Sequence, residues 1–123
     1  MTWRDPAQRA RSRICELDFS WRFPEAEWIN ELGDKGRDYD FVIFDVKVDV
    51  KCVELENDDK EGCLILSPAE LKKDTDAYAF YDSLMGDPRI IFRDKILELI
   101  DQKHHSISRM GNLFRIHKEA FYE

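Results

Sequence analysis

Residues 40–55 constrain the fold most, because their alternation of valines with charged residues predicts a β-hairpin whose register can be read from the sequence. A two-residue loop at Phe44-Asp45 would bring Asp40 directly opposite Asp49, with their Cβ atoms about 5 Å apart. Lys51 follows Asp49 by two residues and therefore lies on the same strand face. Two carboxylates this close repel each other unless a cation lies between them. The hairpin thus predicts a cluster of two acids and an amine that suits hydrolytic chemistry.

Length and composition favour one domain over residues 1–123, with one hydrophobic core. No apolar run approaches the roughly 20 residues needed to cross a bilayer, and the N-terminus lacks an apolar signal segment. We therefore expect an intracellular, cytoplasmic protein. Cys15, Cys52 and Cys63 are odd in number and form no Cys-x-x-Cys pair, which predicts reduced thiols and gives no indication of a zinc site.

The net charge of −7 is unevenly distributed along the chain. The excess of acidic residues lies within 31–87, whereas residues 88–123 carry more basic than acidic residues. Strong non-specific binding to nucleic acid is not expected from this balance. This charge distribution is compatible with basic residues around an acidic centre whose charge a metal ion neutralises.

The remaining pattern predicts an α+β (mixed α/β) fold with a central, mainly antiparallel sheet and flanking helices. Ser67 and Glu70 form a capping box, with Pro68 at the first position of a short helix. Helices are predicted over 6–16, 24–33, 68–73 and 94–103, strands over 63–66, 76–81, 89–92 and 113–117, and polar loops over 56–62 and 104–112.

An acid on the first strand of a hairpin, followed by Asp/Glu-x-Lys on the second, resembles the signature of the PD-(D/E)xK nuclease superfamily. Asp40 and Asp49-Val50-Lys51 carry the resemblance, and the stretch 75–80 is similar to the third strand of small members. The likeness covers roughly residues 14–92, although its discriminating part is about a dozen residues. Tyr39 stands where the family's nominal motif has proline. The resemblance implies a restriction-endonuclease-like core forming a single nuclease-like domain.

It also implies a metal-dependent endonuclease that hydrolyses DNA phosphodiesters with Mg²⁺ or Mn²⁺. Asp40, Asp49 and the backbone carbonyl of Val50 would be the metal ligands, because Mg²⁺ prefers oxygen and keeps several waters. Lys51 would orient or deprotonate the attacking water, or stabilise charge on the phosphate; the sequence leaves these roles open.

Many members carry a further acid on the first helix, and Glu16 matches that position, with Asp18 as the alternative. The resemblance implies DNA as the partner. A domain this small would need a homodimer to cut both strands.

Two other functions stay open on the residues alone. The protein could be a catalytically inactive acidic interaction or inhibitor module on the same fold, or a viral structural protein. Lys47, Asp49 and Lys51 would then form a solvated strand face that pairs with Asp40 and Asp38 across the hairpin. The histidines are interpreted as surface residues, because no third ligand has suitable spacing for a metal; they are His104, His105 and His117.

Overall fold

A computed structural model of the chain describes residues 6–29, 38–52, 63–82 and 86–122. These ranges form an α+β fold, as the sequence predicts. The helices are α1 (Pro6–Arg22) and α2 (Arg93–Asp101), with short 3-10 helices at Glu70–Lys72 and Lys118–Tyr122. The strands are β1 (Glu27–Trp28), β2 (Phe41–Ile43), β3 (Val46–Cys52), β4 (Leu64–Leu66), β5 (Ala77–Tyr81), β6 (Arg89–Phe92), β7 (Ile107–Met110) and β8 (Leu113–Ile116).

The strands form two sheets that are mostly antiparallel. The larger sheet has the order β1-β2-β3-β5-β6, and β3 and β5 are its parallel pair. The smaller sheet has the order β4-β8-β7. The parallel pairing requires the chain to leave the larger sheet after β3, and β4 and the first 3-10 helix lie in this crossover.

Helix α1 covers one face of the larger sheet. Cys15 and Phe19 on the helix pack against a cluster that includes Phe41, Val48 and Val50. The opposite face packs against α2, the smaller sheet and the C-terminal 3-10 helix, in a second hydrophobic cluster. Successive side chains of a strand point to opposite faces. Asp49 and Lys51 therefore lie on the face opposite α1.

The predicted helix over 24–33 is wrong for the part that the structure describes. Pro24 and Glu25 form a turn, Trp28 belongs to β1, and residues 30–33 lie outside the described ranges. The indole of Trp28 stacks on the ring of Phe41, with centroids 5.4 Å apart, and the strand pairs with β2. Pro24 therefore follows the end of the longer helix α1, and pairing with β2 overrides the weak helical pattern.

The predicted polar loop over 104–112 is also wrong, because the strand β7 lies within it. β7 pairs with β8 around a two-residue loop, in which Gly111 adopts φ +64°. A Gly-Asn loop is a known hairpin signal, so this strand could have been predicted. The predicted strands at 63–66, 76–81, 89–92 and 113–117 and the helix at 94–103 are confirmed to within a few residues. The predicted loop at 56–62 lies outside the described residues.

Candidate active site

The predicted hairpin register is confirmed. Ile43 pairs with Val46 and Phe41 pairs with Val48, which leaves a two-residue loop. Phe44 and Asp45 in this loop have φ values of 49° and 68°, the left-handed conformation that tight hairpin turns require. Because the turn fixes the register, it also fixes which residues lie beside each other at the open end of the hairpin.

Asp40 lies at that open end, one residue before β2 begins. Its backbone N–H donates to the carbonyl of Val48 at 2.9 Å. Its carboxylate Oδ2 accepts the backbone N–H of Val50 at 2.9 Å. Since the N–H and C=O groups of a strand residue point to the same edge, the Val50 carbonyl is directed toward the same side as Asp40. The carboxylate of Asp40 is therefore held against the strand edge that carries Val50.

Asp49 and Lys51 lie next to each other on β3, with their side chains largely buried. The Lys51 ammonium lies 3.2 Å from Oδ2 of Asp49 and 2.5 Å from Oε2 of Glu70. The exposed fractions of the three side chains are 17% for Asp49, 24% for Lys51 and 26% for Glu70. The Lys51 ammonium is thus held between two carboxylates at a partly buried site.

The charges of this cluster shift one another's proton affinity. Burial, together with the charge of Asp40 and a hydrogen bond with it, raises the pKa of Asp49 to about 8, although Lys51 acts in the opposite direction. Burial alone lowers the pKa of Lys51, but Asp49 and Glu70 outweigh it and raise the pKa. Burial raises the pKa of Glu70, but its contacts with Lys51 outweigh that and lower it. A second negative charge beside Asp40 is therefore disfavoured, and Lys51 offsets that cost incompletely.

Glu70 is a member of this cluster that the sequence assigned only a capping role. The capping box is confirmed: the Glu70 N–H donates to Oγ of Ser67, and the Ser67 N–H donates to Oε1 of Glu70, both at 3.1 Å. The other carboxylate oxygen faces Lys51. The Tyr78 hydroxyl donates to the Glu70 carbonyl at 3.3 Å. Tyr78 lies on β5, where it is the register partner of Asp49. No sequence signal places Glu70 beside Lys51, because the crossover between β3 and β5 brings them together.

The structure does not bring Glu16 or Asp18 to this cluster. Both lie on α1, which packs on the other face of the sheet. The carboxylate of Glu16 accepts the indole N–H of Trp28 at 3.1 Å. The carboxylate of Asp18 accepts from the hydroxyl of Tyr81 at 2.7 Å and pairs with Arg22. The hydrogen bonds of these two acids therefore join α1 to β1 and to β5.

The remaining charges near the hairpin have partners of their own. Lys47 pairs with Asp74 at 2.9 Å, and the carboxylate of Asp38 accepts the backbone N–H of Asp74 at 3.0 Å. The expected pairing of the strand lysines with Asp38 is therefore replaced by pairing with a residue from the crossover. His117 lies elsewhere, with its ring nitrogens 3.1 Å from Sγ of Cys63 and 2.8 Å from Oγ of Ser108. The three cysteines form no disulfide bond.

The open end of the hairpin carries oxygen atoms of the types that a hard divalent cation takes as ligands. Two carboxylates and the Val50 carbonyl are the ligand types that Mg²⁺ prefers, and it commonly completes its shell with water. Among the residues that the structure describes, no three His, Cys, Asp or Glu side chains gather as a metal-binding group. Any metal here would therefore rest on the two aspartates Asp40 and Asp49, a backbone oxygen and solvent.

Within the described ranges, no helix is both long and apolar enough to cross a membrane. Comparison of the chain with models of protein families, with curated proteins and with solved structures finds no match.

Proposed function

We propose that this protein is a metal-dependent DNA endonuclease of the PD-(D/E)xK type, with a restriction-endonuclease-like core. The observation that carries the proposal is the juxtaposition of Asp40 and Asp49 beside Lys51. Two neighbouring carboxylates in a partly buried site cost stability. Perturbed acids of this kind are typical of sites that bind a cation or handle protons.

Each residue of the cluster has a distinct role in this proposal. Asp40 and Asp49 hold a Mg²⁺ or Mn²⁺ ion together with the carbonyl of Val50. When bound, such an ion acidifies water and stabilises the charge that develops on a phosphodiester during hydrolysis. Lys51 keeps its proton, since its pKa is raised, and its ammonium can hydrogen-bond a phosphate oxygen or the attacking water. The proposed substrate is DNA, and a homodimer would cut both strands.

Calorimetric titration of Mn²⁺, with plasmid nicking on the same samples, tests this function. Wild type is compared with Asp49→Asn, which removes one ligand charge, and with Lys51→Ala, which keeps both carboxylates. The matched control is Asp101→Asn, an exposed aspartate on α2. We expect binding and nicking in wild type and in the control. We expect neither in Asp49→Asn, and binding without nicking in Lys51→Ala. Wild type that neither binds Mn²⁺ nor nicks DNA would refute the proposal.

An acidic interaction module is the alternative, and one observation favours it. Both lysines of the β3 face already have carboxylate partners, Lys47 with Asp74 and Lys51 with Glu70, as in a solvated charged face. This alternative predicts no saturable Mn²⁺ binding. It does not explain why Asp40 and Asp49 lie together, so we prefer the endonuclease.

A further inference from the structure

Glu70 lies where it can hold the ammonium group of Lys51 in a fixed position. Its Oε2 lies 2.5 Å from the Lys51 ammonium, closer than the 3.2 Å that separates the ammonium from Asp49. We infer that Glu70 is a positioning residue, which holds the Lys51 ammonium in place while Asp49 serves as a ligand. This inference rests on the proposed function.

The need for such a residue follows from the shared carboxylate. Lys51, which lies 3.2 Å from Oδ2 of Asp49, and a cation held by Asp40 and Asp49 would compete for the Asp49 carboxylate. A lysine with Asp49 as its sole partner would lose its anchor whenever Asp49 turned toward the cation. Glu70 supplies a second anchor from another element, so the ammonium keeps its place.

Glu70 itself is held from two sides. Its Oε1 accepts the Ser67 N–H, and its carbonyl accepts the Tyr78 hydroxyl from β5. A carboxylate fixed at one oxygen presents the other in a defined direction, so less conformational freedom is lost in holding the lysine. The backbone N–H of Ser67, and not its hydroxyl, thus orients the carboxylate that contacts Lys51.

The capping and anchoring roles can be separated, because the two oxygens of Glu70 do different work. Glu70→Gln keeps an acceptor for Ser67, since glutamine serves in capping boxes, but loses the negative charge toward Lys51. Ser67→Ala removes the hydroxyl that caps Glu70 and leaves the ion pair intact. Glu70→Gln therefore perturbs Lys51 with little effect on stability. Ser67→Ala lowers stability and leaves the contact with Lys51 in place.

The experiment combines steady-state nicking with the ¹H–¹⁵N spectrum of the lysine ammonium groups in metal-free protein. Lys51→Ala identifies the Lys51 signal, and thermal unfolding reports stability. We expect Glu70→Gln to broaden or lose that signal and to lower kcat at least about tenfold, with KM changed less than about twofold. We expect Ser67→Ala to lower the melting temperature but to keep both the signal and kcat.

Several results would overturn the inference. Glu70→Gln with wild-type kcat would show that Lys51 needs no anchor, although Lys51→Ala would still be inactive and the proposed function would stand. An unchanged ammonium signal in Glu70→Gln would show that Asp49 alone holds the lysine. Wild type that nicks no DNA would refute the proposed function, and a responsive signal would then report an ion pair without a catalytic role.

Discussion

In metal-free buffer, we expect Asp49→Asn to stabilise the protein at alkaline pH and to have little effect in acid. The folded state raises the pKa of Asp49 from the ordinary value of 3.8 to about 8, because the side chain is buried and lies next to Asp40. The folded protein therefore binds a proton at Asp49 more tightly than the unfolded chain does. Asparagine resembles the protonated acid and cannot acquire the charge.

The sign of the pH dependence follows from this difference. Between about pH 4 and pH 8, the folded wild type retains a proton that the unfolded chain has released, so its stability falls as the pH rises through this window. The contribution of Asp49 is most favourable below the window and fully lost above it. Asp49→Asn lacks this contribution, so its advantage over wild type grows from pH 4 to a plateau above pH 8.

The pKa shift sets an upper limit to the effect. At 1.36 kcal/mol per pKa unit, a rise from 3.8 to about 8 corresponds to about 6 kcal/mol. Because 17% of the Asp49 side chain reaches water, solvent screening reduces the expected gain. We therefore expect Asp49→Asn to be more stable by about 2–3 kcal/mol at pH 9.

Urea unfolding followed by circular dichroism, from pH 5 to pH 9 in EDTA, measures this difference. Asp101→Asn is the control, and we expect a change of less than about 0.5 kcal/mol without a trend across the range. Added Mn²⁺ should stabilise wild type and Asp101→Asn but not Asp49→Asn, because a ligand that binds the folded state adds to its stability. A difference between Asp49→Asn and wild type that stays constant from pH 5 to pH 9, or a less stable variant at pH 9, would refute the reasoning.

Three further predictions concern the fold. Replacing Phe44-Asp45 with Asn-Gly should raise the free energy of unfolding by about 1 kcal/mol in urea titrations, because both residues have positive φ and Phe44 is 80% exposed; a loss of stability would contradict the turn assignment. Leu99→Ala should cost about 2–5 kcal/mol in the same assay, whereas Leu97→Ala, on the exposed side of α2, should cost less than about 1 kcal/mol; equal costs would contradict the burial of Leu99. Tyr81→Phe should lower stability by about 1–2 kcal/mol, because its buried hydroxyl donates to a carboxylate on α1; an unchanged melting curve would show that this hydrogen bond does not stabilise the fold.

The sequence determined those features that depend on neighbours along the chain. The alternation of charged residues with valines over 46–51 sets which side chains share a face, and the two-residue loop then sets the hairpin register. The capping box at Ser67 and the helix over 94–103 were predicted in the same way. In each case the hydrogen bonds and contacts join residues a few positions apart, so a local pattern suffices.

The tertiary structure decided what depends on distant segments. The strand at Trp28 exists because it pairs with β2, and Glu16 faces that strand because α1 packs on the opposite side of the sheet from Lys51. Glu70 reaches Lys51 because the crossover ends in a parallel pairing of β3 with β5, a contact between distant segments that no local spacing encodes. The local sequence therefore determined that Asp40, Asp49 and Lys51 lie together, whereas the packing of the helices and strands decided which groups surround them.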